Sequence, residues 1–465
     1  MKRKLLILLC ACMLLGGCGE GNTGNSGALS GSAAQAGNAS ESGNVAGNAS
    51  ESGNVAGNAS ESGNEVGSGE PVTSEPGGGE LKKLGAGSGR VITPVELRNA
   101  GEKAAFLADQ VYEENGGNVL VSPLSLNLAL GMVAEGTTGE TATELYRYLG
   151  REDYAEWADR YFSFAEGLKA EKTRDSEYSF SYQLADSIWV RQDARLKESY
   201  KELVTKKFRA EAENVDFMGK PAETAGKINS WCDKHTNGLV KEVVKPDAFT
   251  EDLKAVLVNS VYFESPWIGE WGLREHKFTD LEGKTSEQEM LFDVVTDYYE
   301  NDACTAFAKR YYNGFCFIGI LPKQEGEFQL KDLDLQGLLE SKTAQYDVRA
   351  LMPKLDFDTT ADCLVDVLRA QGVLRIFDPN QAEFGEMIED SMLFVSDVLQ
   401  KCKIELDEKG TRAAAVTVIM AEDAAVMEPE PREVKEVFLD RPFAFLIYDQ
   451  TNDQIVFAGK VTDLQ

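Results

Sequence analysis

The chain has 465 residues, of which 47 are Lys or Arg and 77 are Asp or Glu, giving a formal net charge of −30. This excess of negative charge opposes binding to nucleic acid or to anionic lipid headgroups by bulk electrostatics. It favours a soluble protein with a solvated surface and gives no sign of a site for a heparin-like cofactor.

The first 17 residues have the order of charge and hydrophobicity that is typical of a secretory signal. Three basic residues at positions 2–4 precede an apolar run at 5–15. The run is too short to span a bilayer, for which about 20 apolar residues are needed. It ends in Leu-Gly-Gly-Cys at 15–18, which resembles the lipobox of bacterial lipoproteins. By that resemblance residues 1–17 are a lipoprotein signal peptide and Cys18 becomes the lipid-modified first residue. The alternative is ordinary secretion with cleavage nearby.

Residues 18–90 are predicted to be a lipid-anchored, disordered linker. They consist mainly of Gly, Asn, Ser, Ala and Glu, and a ten-residue unit begins at Gly37, at Gly47 and, with an altered end, at Gly57. Such a composition cannot bury enough apolar surface to offset the entropy of ordering. The repeat is not a solenoid, because the unit has nothing to bury against its neighbour. We interpret it as a tether that holds a domain away from a membrane.

Residues 91–465 are long enough to form one large domain. An odd number of cysteines without a repeated spacing argues against a disulfide framework, and no pair has the spacing of a zinc site. Whether Cys304 and Cys316 pair across a hairpin stays open, and neither a metal ion nor a cofactor is expected. The five cysteines of this region are Cys232, Cys304, Cys316, Cys363 and Cys402.

The elements predicted in this region alternate between helices and strands at first and end in strands. The first is an amphipathic helix that opens at Thr93-Pro94 and ends at the Asn-Gly-Gly sequence 115–117. Because helices come first and strands dominate the end, an α+β fold is favoured over a doubly wound sheet. The further predicted elements are a strand at 118–122, a helix at 124–132, a strand at 181–190, helices at 198–208 and 222–236, a strand at 253–263 and a hairpin of 443–448 with 455–459.

Residues 405–421 are the most informative stretch, because a glutamate and a glycine precede a long run of small and β-branched residues without proline. Gly410 can supply backbone freedom at a pivot. If the run becomes a strand, alternate side chains share one face, and the first four of them are small enough to slide between existing strands. The simpler interpretation is a surface strand with an alanine-rich edge. The side chains of the shared face are Thr411, Ala413, Ala415, Thr417, Ile419 and Ala421.

Six sequence blocks of this region, in order, resemble the signature of the serpins, protease inhibitors that insert a reactive loop into their own sheet. The resemblance covers nearly the whole domain, and it implies a serpin domain at 91–465 that is not an enzyme. The implied fold is α+β, with a large central mixed β-sheet, further sheets, about nine helices and an exposed reactive-centre loop. The blocks are 118–125 with 134–141, 228–239, 257–263 with Trp267, 352–355, 441–445 and 457–460.

The resemblance assigns roles to single residues. It implies a salt bridge between Lys354 and Glu408 that steadies the top of the sheet. Gln400 stands where the family usually has a histidine, and it can form hydrogen bonds but cannot become charged; this puts pH-linked gating in doubt, not inhibition. The implied hinge residues are Glu408, Gly410, Thr411, Ala413, Ala414, Ala415 and Thr417. The implied sheet-opening residues are Ser122, Ser125, Asn259, Trp267, Lys354 and Gln400.

Family spacing from Glu408 places the reactive bond at Ala424-Ala425. The segment that follows is longer than usual, so Asp423, Val426 and Met427 remain alternatives. Residues 413–431 contain no Lys or Arg, which argues against trypsin-like targets that need a basic side chain. Small side chains suit the shallow pocket of an elastase-like or subtilisin-like protease, and Asp423 leaves an acidic-specific protease open.

The expected function is covalent, loop-inserting inhibition of a serine endopeptidase. We expect a monomer on the extracellular face of a bacterial membrane, lipid-anchored through Cys18 or also released. The alternative is a non-inhibitory serpin that acts as a binding or chaperone module. Such a protein would have proline or charged residues in the inserting run, and only Arg412 fits that expectation. A hydrolase is disfavoured because His235, in a helix-end turn, and His276, in a loop, lie in no triad or metal motif. A solute-binding lipoprotein is suggested by the lipobox alone.

Overall fold

The computed structural model describes residue 84 and residues 92–171, 180–389, 392–411 and 432–464, with side chains to residue 168 in the first of these ranges. The chain divides into two units after Glu75, and every described residue lies in the second unit, Pro76–Gln465. The predicted signal peptide, Cys18 and the linker apart from Leu84 lie outside the described residues. The same holds for the hinge residues beyond Thr411 and for the predicted reactive bond.

Eight α-helices and three short 3-10 helices lie in the described part of the chain. None of these helices is long and apolar enough to cross a membrane. The α-helices are α1 Ala100–Asn115, α2 Pro123–Ala134, α3 Gly139–Leu149, α4 Tyr154–Glu171, α5 Glu198–Phe208, α6 Pro221–His235, α7 Leu335–Glu340 and α8 Leu364–Ala370, and the 3-10 helices are Pro246–Ala248, Leu330–Leu333 and Arg375–Phe377.

The first helix begins later than the sequence predicts. It starts at Ala100, and the predicted start at Thr93-Pro94 is wrong. Asn99 is the N-cap, because its side-chain oxygen accepts from the backbone N–H of Glu102 at 2.8 Å. The Glu102 carboxylate in turn accepts from the backbone N–H of Arg98 at 2.6 Å, so the cap satisfies donors on both sides of the helix start. This reciprocal cap outweighs the proline signal that the prediction used.

Sixteen strands form three sheets in the described residues. The central sheet has the order β11-β12-β13-β4-β2-β3, the second sheet β1-β16-β15-β9-β8-β7 and the third sheet β14-β10-β6-β5. The strands are β1 Val119–Val121, β2 Ser181–Arg191, β3 Glu211–Val215, β4 Ala255–Pro266, β5 Gly272–Thr279, β6 Thr285–Val295, β7 Asp297–Glu300, β8 Cys304–Arg310, β9 Phe315–Pro322, β10 Tyr346–Pro353, β11 Leu355–Ala361, β12 Asp397–Leu406, β13 Gly410–Thr411, β14 Glu433–Phe438, β15 Phe443–Asp449 and β16 Gln454–Val461.

The central sheet is mixed. β2 is antiparallel to β4 and parallel to β3, while β12 runs parallel to β4 and antiparallel to β11. β4 is buried at eleven of its twelve positions, as the apolar residues on both faces of its sequence predict for a strand that is covered on both sides. The predicted C-terminal hairpin is the antiparallel pair β15–β16. The other predicted elements are present with ends shifted by a few residues.

Two clusters of buried apolar side chains fill the described region. The larger one lies among the three sheets and helices α1 and α2. The smaller one lies between α6 and one face of the central sheet, and it joins apolar residues of β2, β4 and β12. Its members include Ile228 and Trp231 of α6, Trp189 of β2, Val256 of β4 and Leu399 of β12. This smaller cluster is called the α6 cluster below.

Candidate functional site

The boundary between β4 and β12, called the seam below, is closed at one end and divided at the other. The two strands pair directly where residues 397–401 lie against 256–260. Further along, the two residues of β13 lie between them, with Thr411 opposite Leu406 of β12 and opposite Ser265 of β4. The start of the predicted inserting run therefore occupies the upper end of the seam.

Gly410 lies very close to the backbone of β4. A Cβ atom at this position would lie 2.3 Å from the carbonyl oxygen of Ser265 and 2.8 Å from the Cα of Pro266. Its φ is not in the left-handed region. Glycine is needed here because the strands approach closely, which differs from the pivot freedom that the sequence suggests.

Thr411 contacts one aromatic side chain, which stacks on a second. Its hydroxyl lies 2.6 Å from the hydroxyl of Tyr311, whose ring stacks on Trp267 at 4.1 Å between centroids. The indole N–H of Trp267 donates to the carbonyl of Asp407 at 2.9 Å. The backbone N–H of Trp267 donates to the carbonyl of Lys409, also at 2.9 Å. Trp267 thus lies where the resemblance places it, beside the hinge. Tyr311 was missed, because it lies far from both residues in the sequence.

Lys354 lies in the one-residue connection between β10 of the third sheet and β11 of the central sheet. Its ammonium is 2.9 Å from the carboxylate of Glu289 and 3.2 Å from that of Glu408. The hydrogen bond to Glu289 raises the pKa of Lys354. A bond from its own backbone N–H and the bond from Lys354 lower the pKa of Glu408. The structure therefore brings the predicted pair together and adds Glu289 to it.

Gln400 connects β12 to the start of α2. Its side-chain oxygen accepts from the backbone N–H of Ser122 at 2.8 Å, and its amide donates to the Ser122 carbonyl at 2.9 Å. The Ser122 hydroxyl donates to the carbonyl of Val456 at 2.7 Å. Gln400 is 1% exposed, so both bonds are shielded from water. Any movement of β12 away from α2 must break or replace them.

Asp186 of β2 is a buried acid that the sequence reasoning missed. It lies opposite Asn259 of β4 in the antiparallel register, and Asn259 in turn lies opposite Gln400 of β12. Neither carboxylate oxygen of Asp186 has a hydrogen-bond partner among the described residues, and the same holds for the amide of Asn259 and the hydroxyl of Ser125. Burial raises the pKa of Asp186 well above its ordinary value. The available signal was a single acidic residue in the otherwise uncharged predicted strand 181–190.

A groove of about 790 Å³ opens beside the upper seam. Its lining includes Tyr262 and Glu264 of β4, Leu406 of β12, and Lys354. No direct β4–β12 pairing extends beyond Lys401 and Ser260. The groove therefore lies along the stretch in which the two strands are already apart.

The two ends of the predicted reactive loop lie in different sheets. Thr411 ends β13 in the central sheet, and Glu433 begins β14, which runs parallel to β10 in the third sheet. Residues 412–431 between them lie outside the described residues. They contain the predicted hinge residues Ala413, Ala414, Ala415 and Thr417, the predicted bond Ala424-Ala425 and its alternatives Asp423, Val426 and Met427.

Each of the two histidines lies beside one acidic side chain. His235 is the last residue of α6 and lies 3.6 Å from Glu211. His276 lies in β5, not in the predicted loop, and is 3.4 Å from Asp440. The described residues contain no group of three or more side chains that would hold a metal ion.

The five cysteines of the domain are all buried and free. Cys304 and Cys316 lie at opposite ends of the β8–β9 pair, where their register partners are Pro322 and Arg310. Their possible pairing, left open by the sequence, is therefore not present. Burial raises the pKa of Cys232, Cys304 and Cys316 to about 12, so these thiols stay protonated at neutral pH.

Comparisons with known proteins agree on one family. The model of the serpin family, described as serine protease inhibitor, matches residues 100–464. An uncharacterized serpin-like protein of Thermococcus kodakarensis is 31% identical over 364 residues, which cover 76% of this chain and 82% of that protein.

Solved structures share the fold. Serpin48 of the insect Tenebrio molitor superposes with a TM-score of 0.68 at 24% identity, covering 79% of this chain and 98% of the other. Human thyroxine-binding globulin in complex with thyroxine gives a TM-score of 0.61 at 22% identity, covering 78% and 98%. The predicted α+β architecture with a large mixed sheet is confirmed.

Proposed function

The chain belongs to the serpin family, and from this membership we propose that it is a covalent, loop-inserting inhibitor of a serine endopeptidase. The observation that carries the proposal is the position of β13. Gly410 and Thr411 already form a short strand between β12 and β4. The residues that follow them in the sequence are small and β-branched, which suits continuation of the same strand.

The reaction begins as ordinary peptide cleavage. The serine oxygen of the protease attacks the carbonyl carbon of Ala424, and an ester forms. The Ala424–Ala425 bond breaks, and the amine of Ala425 leaves with the proton that the protease histidine took from its serine. The ester now joins the loop to the protease, while the loop is free of its C-terminal attachment.

Insertion then competes with hydrolysis of the ester. Thr411 is already in place, so residues 412–424 extend β13 between β4 and β12, and about 13 residues at roughly 3.3 Å each move the attached protease by about 43 Å. Distortion of the protease active site prevents water from releasing the ester. Energy for this comes from the added strand, so the starting fold must be a kinetic trap.

Contacts along the seam support this movement. The strands are already separated at the upper end, and the groove beside Lys354 offers space there. Further down, two hydrogen bonds between the side-chain amide of Gln400 and the backbone of Ser122 hold β12 in place. Because an intramolecular hydrogen bond contributes only about 1 kcal/mol net, these bonds can delay opening without preventing it.

The proposed target is an elastase-like or subtilisin-like protease. Support comes from the absence of Lys and Arg at 413–431 and from the small residues around Ala424. We also propose that the protein is a bacterial lipoprotein, attached through Cys18 to the extracellular face of the membrane or also released. Both statements rest on sequence alone.

The test is a reaction of the protein with pancreatic elastase, followed by a denaturing gel and mass spectrometry of the small C-terminal fragment. We expect a band at the summed mass of the protease and the inhibitor without that fragment, and the fragment's first residue identifies the cleaved bond. A protease with its serine blocked is the control and must give no band. Cleavage near Ala424 without the band, repeated with proteases of other specificity, would instead support the non-inhibitory alternative.

A further inference from the structure

Leu84 lies in the interior of the domain, although the sequence places it in the linker. Its side chain is 5% exposed and belongs to the α6 cluster. Its backbone N–H donates to the carbonyl of Ala248 at 2.6 Å, and the hydroxyl of Thr250 donates to the Leu84 carbonyl at 3.1 Å. One side chain and both backbone polar groups of this residue are therefore bound to the domain.

The sequence around Leu84 differs from the rest of the linker. Residues 80–84 read Glu-Leu-Lys-Lys-Leu, and they contain the only lysines of residues 18–90 and two of the three leucines. The receiving segment 247–252, Asp-Ala-Phe-Thr-Glu-Asp, carries three acidic side chains and no basic one. Leu84 directly follows two lysines in the sequence and contacts a segment with three acidic residues, and opposite charges of this kind favour a specific contact.

The position of the α6 cluster connects this contact to the seam. The cluster contains Val256 and Val258 of β4 and Leu399 of β12, and Leu399 lies opposite Val258 in the closed part of the seam. It also contains Ile228 and Trp231 of α6, which covers this face of the sheet. Separation of β4 from β12 must disturb the packing that Leu84 completes.

We propose that the chain docks at Leu84 on the α6 cluster and that this contact stabilises the closed seam. The segment next to the domain is then a regulatory element, and its docking slows loop insertion. Burial of a leucine side chain strengthens only the state whose cluster is intact. An uncleaved molecule without this contact therefore inserts its loop more readily. The effect on insertion rests on the proposed function, whereas the docking itself does not.

The first test measures docking without any protease. Leu84→Cys and Leu374→Cys are made in the full chain, since Leu374 is 53% exposed and the described native thiols are buried. Labelling with a thiol reagent is followed by peptide mapping. We expect the cysteine at 84 to react at least about tenfold more slowly than the one at 374, because docking must open before the reagent enters. Equal rates would overturn the proposal.

The second test measures the consequence for the seam. In the full chain, Leu84→Ser is compared with Leu374→Ser by hydrogen exchange in α6 and β4 and by the rate at which residues 412–431 become resistant to proteolysis on warming. We expect faster exchange and about tenfold faster loop insertion for Leu84→Ser only. Protected labelling at 84 with unchanged exchange would show docking without control and would overturn the regulatory part. If no uncleaved variant inserts its loop on warming, exchange alone decides the control of the seam, labelling decides the docking, and the reaction with elastase decides the proposed function.

Discussion

Buried polar groups have hydrogen-bond partners at the upper end of the seam but lack them in its middle, among the described residues. At the upper end Thr411 is paired with Tyr311, and Trp267 donates to Asp407. In the middle Asp186 and Asn259 face each other without a hydrogen-bond partner among the described residues. An unpaired buried polar group costs about 1–3 kcal/mol. The hydrogen bonds therefore stabilise the hinge in its present position, whereas the middle of the closed sheet is poorly stabilised.

The largest expected effect comes from a charge in the hinge. Thr411 is 3% exposed between two strands, so we expect Thr411→Arg to leave the seam in the starting fold, and its guanidinium must then be buried when the loop inserts. We expect loop insertion to become slower than hydrolysis of the ester. At least about ten times more inhibitor is then consumed for each protease molecule that is inactivated. Titration of protease activity measures this ratio.

Val434→Arg is the matched control for that variant, because Val434 is 48% exposed in β14 at the other end of the loop. It should inhibit like the unchanged protein. Unchanged inhibition by Thr411→Arg would show that inhibition does not require residue 411 to lie between β12 and β4.

A second prediction concerns pH and Asp186. Burial raises the pKa of Asp186 above its ordinary value of 3.8, so its stabilising contribution is full below about pH 4 and is lost as pH rises toward the raised pKa. We expect native stability to fall by about 1.4 kcal/mol per pH unit in that window, and Asp186→Asn to remove this fall. The phenol of Tyr154 is affected by the charge on Asp186, and its own raised pKa keeps it neutral.

Urea-induced loss of the native state, measured from pH 4 to pH 8, tests the pH prediction. The gain of Asp186→Asn over the unchanged protein must grow as the pH rises. Ser187→Ala, one residue along β2, is the control and should keep the original pH dependence. A constant difference between Asp186→Asn and the unchanged protein would show that Asp186 is not the titrating group.

A third prediction concerns the hydrogen bond between Tyr311 and Thr411. Tyr311→Phe keeps the stacking on Trp267 and removes only the hydroxyl, while Thr411→Val keeps the shape of the other partner. We expect each variant to lose about 1 kcal/mol, and the double variant to lose less than the sum. Urea midpoints measure all three. Strict additivity would mean that the two hydroxyls do not interact.

The smallest effect is expected at Lys354, because its side chain is 39% exposed. Lys354→Met should destabilise the native state by no more than about 1 kcal/mol, and the loss should shrink in high salt. Glu289→Gln is the comparison, since it leaves the pair with Glu408 in place. A larger loss that does not depend on salt would point to packing of the lysine stem instead.

The sequence predicts the parts of the site that short blocks carry. Ser122, Gln400, Trp267 and the Lys354–Glu408 pair were named before their contacts were known, because each lies in or next to a recognisable block. Tyr311 was not, since only the folding of β8 and β9 brings it beside Trp267. The start of α1 was misplaced because a proline signal was preferred to the cap at Asn99.

Asp186 and Leu84 were missed for a different reason. Each differs from the composition around it: Asp186 is the one charged residue of 181–190, and Leu84 lies in a linker that is mainly polar. Averages over a segment hide such single residues. Their burial, at 0% and 5% exposure, depends on partners hundreds of positions away or on a surface that forms only in the folded domain.

The C-terminal hairpin determines what a cut molecule is. β15 lies between β9 and β16, β16 also pairs with β1, and Phe443 and Phe445 are fully buried. Cleavage at the proposed bond Ala424-Ala425 would cut the chain before this hairpin and would break none of its strand pairings. Under the proposed mechanism the spent inhibitor would therefore be a complex of two chains, in which the smaller chain stays paired within the sheet of the larger one until a denaturant separates them.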